Sequence, residues 1–196
     1  MADAQGRVLR HTVAARGLHA LNAAAILALI ATGLALAGFL PDSLTARMGG
    51  HVVANTTHRM LGLAFVIAAA AAAALLHARC RRFARDIVGS GVLGPHAQRL
   101  SAAQRAVFAI LVISATIAGV SGVYLYVLPK APLWVFLVAI RAHVYGSWVL
   151  IAALSLHIVA GLGILPTHRG IARSMFGDGT VPLRIARTLW PGWAEA

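Results

Sequence analysis

The sequence predicts an all-α integral membrane protein, a bundle of four transmembrane helices. Three observations lead there. Of its 196 residues 60% are hydrophobic, and the mean hydropathy is +0.81. Only 11% are charged, where a soluble domain carries about a quarter. Apolar windows near 20 residues long recur along the chain, and a helix of about that length crosses the hydrocarbon of a bilayer.

The first window gives a span over about 18–40, closed by Pro41. It starts deep in the chain and lacks a small-residue cleavage site, so it reads as a retained helix rather than a signal peptide. The second, about 57–77, contains the run Ala68–Ala74, which favours helix and lets helices approach closely. The third covers about 106–128 and is broken by Pro129 and Pro132. The fourth covers about 138–165 and stops at Pro166. No strand alternation competes, no internal repeat is clear, and residues 1–196 read as a single domain.

The formal charge is +12. On a soluble protein that would point to nucleic acid, but here the charges lie between the apolar runs, so no nucleic-acid partner is expected. Lys and Arg placement sets orientation. Thirteen lie in the N-terminal segment, the loop between the second and third spans, and the tail; the four others are Arg47, Arg59, Lys130 and Arg141. Both termini are therefore expected in the cytoplasm. Cys80, the single cysteine, excludes an internal disulfide, an all-cysteine iron–sulfur site and a C-x-x-C-H haem attachment. Any haem must be held by non-covalent ligation. In its Arg-rich loop Cys80 reads as an inert or lipidated thiol.

The chain has nine histidines, and topology sorts them. His143 and His157 lie fourteen residues apart in one apolar run. Fourteen steps of about 100° return to within about 40° of the start, and the rise separates the two by about 21 Å. One helix thus presents two imidazoles on one face at two membrane levels. His58 opens the second span at the outer level of His143, and His19 opens the first at the inner level of His157. Depth therefore pairs His58 with His143 and His19 with His157. Intramembrane histidines are costly and usually functional, and bundles hold cofactors between facing side chains. Two bis-histidine haems b would leave no open iron position, which suits electron transfer. Packing or proton-relay histidines in a non-haem membrane scaffold are the alternative.

His51 is the rival to His58, on the same helical face, but Gly49, Gly50 and Asn55 read as loop. His77 points about 100° away from His58 and reads as a boundary residue. His11, His96 and His168 lie in basic flanks. Gly62, Gly146 and Gly161 follow the candidate ligands by about one turn and would leave room for a porphyrin. Gly119 and Gly122 could serve packing or cofactor alike. Arg59 and Arg141 flank the outer pair, as propionate partners or as membrane-edge anchors.

These residues resemble the gamma subunit, a cytochrome b, of membrane-bound respiratory formate dehydrogenases. Arg16-Gly-Leu-His19 looks like that family's first ligand motif and Thr57-His58-Arg-Met-Leu-Gly62 like its second. Gln104-Arg105 resembles its Gln-Lys pair and is followed by Val120-Ser-Gly122. Gly170-Ile-Ala-Arg-Ser-Met175 and Trp190-Pro-Gly-Trp193 resemble its tail. The resemblance implies His19, His58, His143 and His157 as axial ligands of two haems b in a bacterial inner membrane. It implies electrons arriving from a periplasmic-side iron–sulfur beta subunit, formate oxidation on a molybdenum- or tungsten-pterin catalytic subunit, and a quinone acceptor near the cytoplasmic face. Ser101 stands where the family has Asn and Ala103 where it has Gly, leaving Ser101 and Gln104 as the polar contacts for a quinone. A standalone small cytochrome b acting on quinone, and the cytochrome b subunit of a nickel–iron hydrogenase, are the other redox readings.

Overall fold

The computed structural model describes residues 6–88, 100–128 and 130–194; His96, Arg99 and Pro129 lie outside them. Among the described residues four helices are long and apolar enough to cross a membrane: α1 (Val13–Leu36), α3 (Gly50–Leu75), α5 (Ala102–Val127) and α6 (Leu133–Gly161). Short helices join them: α2 (Asp42–Arg47) and the Arg-rich α4 (His77–Val88). Large apolar side chains stay open along the long helices, with Val52 80% and Leu133 70% exposed. Water would penalise such a surface at about 25 cal/mol per Å2, whereas lipid does not.

Each long helix starts four or five residues before its expected span, and α3 seven. Hydropathy marks the stretch that lies in hydrocarbon, whereas a helix continues into polar residues until a cap ends it. The side chain of Thr12 caps α1, its Oγ1 accepting from the Ala15 amide at 3.3 Å. Ser101 and Gln104 cap α5 reciprocally: the Gln104 amide donates to Ser101 Oγ at 3.3 Å and the Ser101 amide to Gln104 Oε1 at 3.1 Å. That is a capping box, written in the sequence as Ser-x-x-Gln.

The expected stops at Pro41 and Pro166 give way to glycine. At the end of α1, Gly38 adopts φ +74°, the Phe39 amide reaches Leu34 O at 2.9 Å and the Gly38 amide reaches Ala35 O at 3.2 Å. Gly163, with φ +73°, closes α6 in the same way through Ile164 to Val159 O and Gly163 to Ala160 O. Both are Schellman motifs, which need a left-handed residue that glycine adopts without steric cost. Gly49, with φ +92°, starts α3 early, so His51 is an exposed helical residue and not a loop residue.

The chain forms two compact units. One comprises Leu21–His77 and Val112–Ile151. Small residues let its helices touch: Gly119 on α5 faces Val66 on α3, and Gly146 on α6 faces Ile117 and the backbone of Ala118. Phe39 and Trp148 meet edge to face at 5.2 Å.

The other comprises Met1–Ala20, Ala78–Leu111 and Ala152–Ala196. It contains a two-stranded antiparallel ribbon, β1 (Arg7–Leu9) on β2 (Thr180–Pro182), in the register Val8 to Val181. No alternation in the sequence points to it, because three-residue strands are too short to show a period. A 3-10 turn (Pro166–His168) and helices α7 (Arg173–Phe176), α8 (Leu183–Leu189) and α9 (Pro191–Ala194) complete the tail. Ile171, Val181, Ala186 and Trp190 form its core. Arg10 stacks on Trp190 at 3.7 Å, and Trp190 Nε1 donates to Gln104 Oε1 at 2.7 Å. Hydrogen bonds from the Thr180 hydroxyl and amide, with Arg173 beside them, hold the Asp178 carboxyl well below the usual carboxylate range.

Candidate functional site

The four intramembrane histidines come together in two pairs, one in each unit. His58 on α3 and His143 on α6 have ring centroids 6.0 Å apart, their planes crossing at 86°. His19 on α1 and His157 on α6 stand 6.1 Å apart with planes at 43°. Two imidazoles bound to one metal from opposite sides are held at about this separation, from two metal–nitrogen bonds of about 2 Å and about 1 Å from each nitrogen to its ring centre.

The donor set fits such a group in a second way. Among the described residues no three His, Cys, Asp or Glu side chains converge. A closed all-protein tetrahedral site is therefore not built here. Two facing imidazoles suit an ion whose remaining ligands come from a macrocycle, as in haem.

In the His58/His143 pair the backbone sets the tautomer. His58 Nδ1 lies 3.1 Å from Leu29 O and 3.0 Å from Thr32 Oγ1. His143 Nδ1 lies 2.9 Å from Ala118 O and 3.5 Å from Ser121 Oγ. A carbonyl oxygen only accepts, so each Nδ1 carries the proton and each Nε2 keeps its lone pair for a metal. The hydroxyls are themselves committed as donors: Thr32 to Ala28 O at 2.7 Å and Ser121 to Ile117 O at 2.6 Å.

Glycine completes this arrangement. A Cβ at Gly33 would meet His58 Cε1 at 3.2 Å, and one at Gly122 would meet His143 Cε1 at 3.1 Å. The same device thus appears twice: a carbonyl three residues before a Ser or Thr, that hydroxyl, then a glycine beneath the ring. Leu29, Thr32 and Gly33 supply it on α1, and Ala118, Ser121 and Gly122 on α5. Gly122→Val is expected to push the His143 ring off its carbonyl and lower haem content at that pair. Haem per polypeptide, measured by pyridine haemochrome, checks this against wild type.

The glycines predicted to make room divide by role. Gly161 has open space where a Cβ would go, and Gly62 meets only Leu29, at an ordinary 3.7 Å. Gly146 instead packs against Ile117 at 3.1 Å, so it is a helix contact and not part of a cofactor space. Arg59 lies over Tyr126, 4.9 Å from its ring centre, and Arg141 is exposed. Ser101 and Gln104 sit in the α5 cap, where Gln104 Oε1 also accepts from Trp190. His77 begins α4 and His168 ends the 3-10 turn.

With this geometry in view, the comparison with known families is decisive. The family model described as prokaryotic cytochrome b561 matches residues 10–178. The chain belongs to that family. The prokaryotic cytochromes b561 are membrane cytochromes b, so this is a multi-pass bacterial membrane protein of electron transfer, with haem b as its cofactor. Among curated proteins none matches the chain.

Thr32-Gly33, and the place of Ser121-Gly122 beneath a ring, are what sequence reasoning missed, Gly122 being expected there only to serve packing or cofactor alike. Their signal was present as two Ser/Thr-Gly dipeptides inside apolar helices. Ser or Thr bonding back to its own helix is common in membrane spans, so the dipeptides gained meaning only when each was found beneath an imidazole.

Proposed function

We propose that this cytochrome binds two haems b, one between His58 and His143 and one between His19 and His157. It would act as the membrane anchor of a formate dehydrogenase-like complex, delivering electrons to quinone. The paired rings about 6 Å apart carry the two-haem part of this reading, and the sequence resemblance carries the formate dehydrogenase part. Bound haem supplies one-electron oxidation and reduction at a potential set by its ligands and surroundings.

The chain's own residues do the rest. His19, His58, His143 and His157 would hold the two haems in pairs, an arrangement that suits electron transfer rather than oxygen chemistry. The carbonyls of Leu29 and Ala118 fix the tautomer and raise ligand basicity at one pair. The apolar helices exclude water from both. Charge topology puts His58 and His143 at the periplasmic level, where an iron–sulfur beta subunit would donate, its own electrons coming from a molybdenum- or tungsten-pterin subunit. It puts both termini at the cytoplasmic side, where the formate dehydrogenase resemblance implies the quinone site.

Purification from the native membrane tests this reading. The expected result is about two low-spin haems b per chain, co-eluting with an iron–sulfur subunit and reduced by formate. A chain with no haem b would sink the whole proposal. A second reading, a standalone cytochrome b exchanging electrons with quinol, fits the family description, prokaryotic cytochrome b561, equally well. Two haems without co-eluting subunits, reduced by quinol alone, would select it.

A further inference from the structure

Arg16 stands one turn before His19 on α1. Residues three apart share a helix face, and both side chains are half-buried. The guanidinium is fixed at one corner, where Nη1 donates to Gly177 O in the tail. Its Nε is buried and, among the described residues, has no acceptor. A charged donor withdrawn from water and left unmatched is costly.

Among the described side chains of this unit no carboxylate is placed to take it. Asp178 is the acidic side chain described there, and it is occupied by Arg173 at 2.8 Å and by Thr180. On α6, Gly161 follows His157 by four residues on the same face, and a Cβ there would meet nothing within 4 Å. Arg16 lies about 4.5 Å nearer the N-terminal end of α1 than His19, toward the helix end where a charged group is least costly to hold.

We propose that Arg16 is a positioning residue that binds a carboxylate of the haem held by His19 and His157, through Nε, and so sets that haem's potential. This rests on the ligand reading above. The guanidinium neutralises a negative charge close to the iron. Without it the uncompensated carboxylate favours the ferric form, and the midpoint falls.

The test is a spectroelectrochemical titration of full-length protein in detergent, comparing wild type with R16Q and R16K. In R16Q one of two midpoints is expected to drop by about a tenfold change in equilibrium constant, about 59 mV for one electron, with the other unmoved. R16K, which keeps the charge, is expected to restore most of the difference. Two retained haems with unchanged midpoints in R16Q would overturn the proposal. So would a potential in R16Q that moves only with the phospholipid added, which would make the anion a lipid phosphate. If R16Q does not accumulate, R16K decides alone: a midpoint as wild type supports a charge role, and a fall by the full tenfold refutes it. Wild-type protein lacking haem would instead refute the ligand reading itself.

Discussion

Replacing His143 by Ala is expected to abolish one low-spin haem and leave the other. Ferric low-spin signals in electron paramagnetic resonance should fall from two to one, and haem per chain by about half. H157A should remove the complementary signal, and a variant carrying both changes should carry neither. The selectivity follows from the pairing: His143 faces His58 at 6.0 Å, and His157 faces His19 at 6.1 Å. Removing one imidazole leaves its partner with a single axial bond and a cavity where the ring stood. Added imidazole should enter that cavity and restore part of the low-spin signal. A scaffold with packing histidines would give spectra that none of these changes touch.

The H58A variant sharpens the same expectation. His51, one rival for that ligand, is exposed at the start of α3, whereas His58 meets Leu29, Thr32, Gly33 and His143. H51A should therefore leave both signals in place, while H58A removes the one lost in H143A.

What could be read from the sequence was whatever depends on composition and on helical period. Four apolar runs separated by Arg-rich segments are enough to place four helices, because bilayer thickness fixes their length. The relation of His143 to His157 needed only the helical repeat. Depth matching named the partners, because charge topology assigns each helix end to a side.

What was not legible depends on contacts between elements. The ribbon joining residues 7–9 to 180–182 links segments more than 170 residues apart through strands too short to show a pattern. The glycine caps at Gly38 and Gly163 stand a few residues before prolines that would also end a helix, and only the backbone shows that the left-handed glycine is the stop. Ser101 and Gln104 show the limit most plainly. The resemblance offers them as polar contacts for a quinone, while their Ser-x-x-Gln spacing is also the signature of a helix cap, and the one role does not exclude the other.

Trp190→Ala should be the most destabilising single change outside the histidines. The side chain is 1% exposed, packs with Ile171, Val181 and Ala186, carries the Arg10 guanidinium on its face at 3.7 Å, and spends its indole N–H on Gln104. Truncating a buried Trp costs about 3–5 kcal/mol, and the change also strips Arg10 of its main aromatic partner. W190F keeps a ring for Arg10 and loses the indole bond to Gln104 Oε1, which still accepts from the Ser101 amide, so it should cost only about 0.5–1.5 kcal/mol for the lost bond. Because this core belongs to the unit that contains His19 and His157, its loosening should reach that pair first. Thermal denaturation followed by the two low-spin signals reads this directly. In W190A the signal lost in H157A should melt earlier than in wild type, while the one lost in H143A melts near its original temperature. Parallel loss of both at one lowered temperature would show that the tail core supports the two pairs equally, and would refute the assignment of that core to the His19/His157 pair.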